Sequence, residues 1–235
     1  MFQEDLYSKF ANAARDGRIS VLREMLDKNE VDIDDTNEAG MTGLMVACCC
    51  YRGDVIRFLI ENGANDELKN VHGMTAMDII TKSNHPELGL EKIFDDAKRN
   101  RLAAAAEAGD LRAVERIIKL GDDVNGNDIV KECPLKYASA GGHVDVMKYL
   151  VEHGADIDKA NEYGMTPLMG AVCRFNAKSV RCLIELGADE KLLNNEGRSA
   201  ETMAREEIVV VLENAVKRRE SQKVMALKRD KGIDR

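Results

Sequence analysis

The chain reads as an all-α solenoid of about seven helix-turn-helix repeats, broken between the third and the fourth. Three observations predict this class. The stretches "GMTGLMVAC" from Gly40, "GMTAMDII" from Gly73 and "GMTPLMGAV" from Gly164 copy one another, and the period is 33 residues. Within "HVDVMKYLVEHGAD" the apolar residues Val146, Met147, Leu150 and Val151 recur at spacings of three and four, which lines one face of a helix. Aromatic residues make up only 4% of the chain and Trp is absent, so a core of Ala, Leu, Ile, Val, Met and Cys must form, which suits closely packed helices.

The units follow in order from one marker, the Thr of each copied stretch or the residue in its place. Ser8, Thr42, Thr75, Asn100, Cys133, Thr166 and Ser199 are separated by steps of 34, 33, 25, 33, 33 and 33. A second signature stands 21 residues after four of these markers, at Gly63, Gly121, Gly154 and Gly187, where glycine accepts the left-handed turn that ends a helix. Each unit therefore holds two helices. A two-helix unit cannot bury its apolar face alone, so neighbours must stack into an array.

These residues resemble the ankyrin-repeat family, whose unit is about 33 residues with a turn, two helices and a T-P-L-H-x-A signature. The resemblance is carried by "TPLMGA" at Thr166, "CPLKYASAGGHVDVMKYLVEHGADID" at Cys133 and "AAEAGDLRAVERIIKLGDDVN" at Ala105, and it covers nearly the whole chain. The motif's His is replaced throughout, by Met45, Asp78, Lys136, Met169 and Thr202, and Gly43 and Ala76 stand where the motif has Pro.

The short step from Thr75 to Asn100 lacks eight residues that would have formed a turn and projecting finger. "GANDELKNVHGMTAMD" in the third unit is similar to "GADEKLLNNEGRSAET" in the seventh, and "KRNRLAAAAEAGDLRAV" opens the fourth unit as "LYSKFANAARDGRISVL" opens the first. An internal duplication follows, with an array of three repeats over 1–98 and one of four over 99–235. Between them "LEKIFDDAKRNRLAAAAEAG" has no Pro and no internal Gly, so a long helix or a very tight turn joins the arrays.

Several chemistries are excluded. No P-loop, G-x-S-x-G, H-E-x-x-H or G-x-G-x-x-G occurs, and no cofactor or metal is expected. Cys48, Cys49 and Cys50 lack a C-x-x-C spacing and a nearby His; register puts Cys48 in the core as a small apolar residue. Arg52-Gly53-Asp54 falls in the turn between two helices, where Gly and Asp are ordinary. "DVNGNDIVKE" imitates a calcium loop but has Gly121 at the first ligand position, so it reads as a finger. There is no apolar run of about 18 residues. The net charge of −8 divides into +5 over Lys217–Arg235 and −13 over the rest, an acidic body with a basic tail. Val209, Leu212 and Val216 are expected to dock that tail.

The resemblance implies a non-enzymatic module that binds an unidentified partner protein, cytoplasmic with the nucleus as an alternative site, and monomeric. Regulation or inhibition of an enzyme is the alternative; nucleic acid is disfavoured by the acidic body and favoured only by the tail. In the family, contacts come from finger tips and from exposed inner positions of the first helix. Register maps the tips onto Glu38, Met41, Val71, His72, Met74, Glu162, Tyr163, Met165 and Arg198, and the helix positions onto Cys49, Cys50, Lys82, Cys173 and Arg174. The finger methionines are expected to project, as flexible contacts for a partner.

Overall fold

The computed structural model describes residues 2–83 and 85–230. The last five residues of the basic tail lie outside the described residues. Among the described residues thirteen α-helices run in chain order: α1 Phe2–Asp16, α2 Ile19–Asp27, α3 Gly43–Cys49, α4 Gly53–Glu61, α5 Ala76–Lys82, α6 Leu90–Ala108, α7 Leu111–Lys119, α8 Pro134–Gly141, α9 Val144–Glu152, α10 Pro167–Cys173, α11 Ala177–Leu186, α12 Ala200–Met203 and α13 Glu206–Asp230. One turn of 3₁₀ helix, Pro86–Leu88, precedes α6. The only extended pairing among the described residues is a single bridge between Thr36 and Thr42.

Four of the marker residues, Thr42, Thr75, Thr166 and Ser199, cap a helix through their side chains. Thr42 Oγ1 accepts from Met45 N at 3.2 Å and Thr166 Oγ1 from Met169 N at 3.3 Å. Each cap gives a partner to a backbone donor that the helix itself cannot satisfy. Thr75 and Asp78 form a reciprocal capping box, and Ser199 and Thr202 form another. Asp78 and Thr202, two of the replacements for the motif's His, thus still tie the turn to the helix. Gly43 replaces Pro for a steric reason: a Cβ there would lie 2.6 Å from Phe10 Cε1.

The chain divides into two compact units, Met1–Leu102 with Glu115–Gly121, and Ala103–Val114 with Asp122–Arg235. The core of the first gathers Phe10, Leu22, Met25, Ile33, Leu44, Met45, Ile56, Leu59 and Ile60, and ends on Leu90, Phe94 and Ala97 of α6. In the second, Leu135, Met147, Leu150, Leu168, Leu183 and Ile184 are buried, and α13 docks through Ile208, Leu212 and Ala215. That stripe corrects the expected one: Val209 and Val216 are only half-buried. Both sets have helical spacing, and only packing chooses between them. The segment joining the two expected arrays is the continuous helix α6.

Candidate functional site

A polar residue five positions before the marker folds each finger tip. Asn37 Oδ1 accepts from Ala39 N and Met41 N, both at 3.0 Å. Asn70 does the same for His72 and Met74, Asn161 for Tyr163 and Met165, Asn194 for Glu196 and Arg198, and Asp128 for Val130 and Glu132. Side chains that bond their own backbone two residues on are natural turn formers. Successive tips are then joined, Val71 N to Ala39 O at 3.0 Å and Asn195 N to Tyr163 O at 3.1 Å.

In the first unit the tips expose Glu38, Val71 and His72, while α3 exposes Cys49, Cys50 just after it is half-buried, and α5 exposes Lys82. Burial raises the Cys49 thiol above its ordinary pKa, and raises Cys48 further, so neither is an activated thiolate. In the second unit Glu162, Tyr163, Arg198, Cys173 and Arg174 are exposed, with Tyr163 at 64%.

The finger methionines do not project. Met41, Met74 and Met165 are half-buried, and Met41 and Met74 pack against the first unit's core. The Met41 sulfur accepts from Asn70 Nδ2 at 3.5 Å, and the Met165 sulfur from Asn194 Nδ2 at the same distance. Met41 and Met165 each lie under the next finger because that finger's Asn holds them there. Their role is to space adjacent fingers.

The inner face of the second unit carries a groove of about 560 Å³ between α8 and α10. Ala140, Gly141 and Gly170 leave it open, and Val130, Met165 and Cys173 border it. Its walls include Glu107 from α6, Glu132, Lys136, Tyr137, and Arg174 just after α10. Tyr137 donates its hydroxyl to Asp128 Oδ2 at 2.6 Å, and burial together with that carboxylate pushes its pKa above the ordinary tyrosine range. Lys136 pairs with Glu132 Oε1, which also accepts from Asn161 Nδ2 at 2.8 Å; the second oxygen of Glu132 is buried without a hydrogen bond. Glu107 and Arg174 are exposed charges of opposite sign on the two sides. The structure thus groups Met165, Cys173 and Arg174, and adds Glu107, Val130, Glu132, Lys136 and Tyr137, which the residue-by-residue mapping missed. The register that picked Cys173 and Arg174, read one and two repeats earlier, would have picked Glu107 and the gap at Ala140 and Gly141.

A family model for ankyrin repeats in three copies matches residues 10–89 and 102–200. The chain is 28% identical over 183 residues to ankyrin repeat domain-containing protein 63 of Mus musculus, covering 74% of this chain and 40% of that protein. It is also 28% identical over 183 residues to the B-cell lymphoma 3 protein homolog of Mus musculus, covering 72% of this chain and again 40% of the relative. The chain therefore spans 40% of the length of these relatives. Among solved structures, the ankyrin repeat domain of Bcl-3 matches with a TM-score of 0.50 at 22% identity, over 87% of this chain and 97% of that one, a likeness of fold alone.

Proposed function

Because the chain belongs to the ankyrin-repeat family, whose domains are typically non-enzymatic and generally mediate protein–protein interaction, we propose that it is a binding module that holds a partner protein on the groove of its second unit. The observation that carries this reading is the groove itself, with exposed charged and apolar side chains along its border. Arg174 and Glu107 are exposed on its two sides, and beside it the finger tips leave Val130 at 59% and Tyr163 at 64% exposure. A groove with small residues beneath and apolar groups at the rim accepts a chain segment, with polar groups fixing its register. In this proposal the module acts as a monomer in a reducing compartment, where its six cysteines stay thiols.

The test is affinity capture on the full chain, with retained proteins identified by mass spectrometry. Replacing Glu107→Lys, Tyr163→Asp and Arg174→Glu together should remove the specific partner while shifting the thermal midpoint by no more than about 2 °C, since all three side chains are exposed. Retention that survives this variant and is lost on deleting residues 217–235 would move the binding site to the basic tail.

A further inference from the structure

In the first, second, fourth, fifth and sixth repeats the residue nine positions after the marker sits in the turn between the two helices, and there it adopts positive φ. In the first, fourth and fifth repeats it is Gly17, Gly109 and Gly142, at φ 79°, 71° and 80°. In the second and sixth it is aromatic: Tyr51 at φ 58° and Phe175 at φ 55°. A bulky side chain in this region is a genuine backbone outlier, and such strain persists only where the surroundings impose it.

What each residue faces explains the division. A Cβ on Gly109 would lie 2.3 Å from His143 Nδ1, and one on Gly142 would lie 2.5 Å from Asn176 Nδ2. His143 and Asn176 stand at the same point of the following repeat, the residue just before its second helix. That residue can reach back to the preceding repeat's first helix: Arg52 Nε donates to Arg15 O at 2.7 Å, and His143 Nε2, for which Gly109 leaves room, meets Glu107 O at 3.0 Å. The two aromatic positions instead precede the repeats with irregular connections. After Tyr51 comes the repeat whose helices are separated by the 3₁₀ turn Pro86–Leu88, and after Phe175 comes the one whose first helix, α12, is four residues long. Tyr51 meets His85 edge to face at 5.0 Å between centroids, and the Arg205 guanidinium lies 5.0 Å from the centre of the Phe175 ring.

We propose that Tyr51 and Phe175 are latches, aromatic rings held in a strained backbone conformation so that each clamps the irregular connection of the repeat that follows it. Where the following repeat is regular, glycine serves, joined after Gly17 and Gly109 by a side chain-to-carbonyl bond; where its connection is distorted, the ring takes that place. The connection of the following repeat is then the segment that opens when the ring is removed.

Hydrogen–deuterium exchange on the full chain tests this. Phe175→Gly removes the backbone strain along with the ring, so a merely strained residue would yield a tighter protein. A latch predicts instead that exchange over residues 199–209 rises about fivefold, the loss of one cation–ring contact, while residues 134–172 keep their wild-type rates. Arg205→Ala leaves Phe175 in place and should give the same local rise. Tyr51→Gly should raise exchange over 79–83 and 85–94 alone. Unchanged or slower exchange at 199–209 in both second-unit variants, or a uniform rise across the second unit, would overturn the proposal.

Discussion

At the scale of single residues, position in the repeat decides behaviour more than residue type does. Three adjacent cysteines illustrate this: successive helical residues point about 100° apart, so Cys48 is fully buried, Cys49 exposed and Cys50 between the two. Cys48→Ser places a hydroxyl in the apolar core and should cost about 1–3 kcal/mol in a urea titration, whereas Cys49→Ser should stay within about 0.5 kcal/mol. Equal effects would show that the burial pattern is wrong. Methionine divides in the same way. The residue before Thr looked like a projecting contact, yet the Asn of the next finger draws its sulfur inward, and that Asn is 29 residues away in both fingers where the contact forms.

At the scale of elements, α6 is fixed by charge as well as by packing. Lys98 and Arg101 both bond Asp66, at 2.6 and 3.0 Å, with the Asp66 side chain only 9% exposed and that of Arg101 3%. Burial works to raise the Asp66 carboxyl, but the hydrogen bond and charge of Lys98 together with Arg101 outweigh it and leave its pKa below the ordinary aspartate value. A depressed carboxylate pKa contributes stability above the unfolded value near 3.9 and loses it as the pH falls through the lower folded value. Asp66→Asn should therefore destabilise the chain at pH 7 by on the order of 3 kcal/mol, and the gap from wild type should shrink below about pH 4. A penalty independent of pH would mean that the pair is not what holds the helix. The corresponding position in the second unit is Glu190, and there Arg219 of α13 supplies the charge at 2.8 Å.

At the scale of the whole chain, several contacts of the second and third repeats recur in the sixth and seventh. Met41 and Asn70 match Met165 and Asn194, Tyr51 matches Phe175, and Asp66 matches Glu190, each 124 residues apart. The buried triplet Leu90, Phe94 and Ala97 matches Ile208, Leu212 and Ala215, each followed four residues later by an arginine. We propose that an internal duplication accounts for this correspondence, with independent folding of the two arrays as its natural extension. A cut at 98/99, however, would sever α6 between Lys98 and Arg101, the two partners of Asp66. A fragment of residues 1–108 should melt several degrees above one of residues 1–98, by loss of that pair and of buried Leu102. Equal melting would place the boundary where the period alone suggested.

The sequence by itself determined the repeat, its register, the family and the burial of Cys48. These follow from local rules, a period, a helical stripe and a turn residue, each confined to a few neighbouring positions. Only the tertiary structure decided which of two apolar stripes docks α13, why Gly43 replaces Pro, where the finger methionines point and how Glu107, Tyr137 and Arg174 come to line one groove. Those outcomes depend on residues about 30 or more positions away whose side chains compete for the same space, and one-dimensional spacing does not record which neighbour fills it.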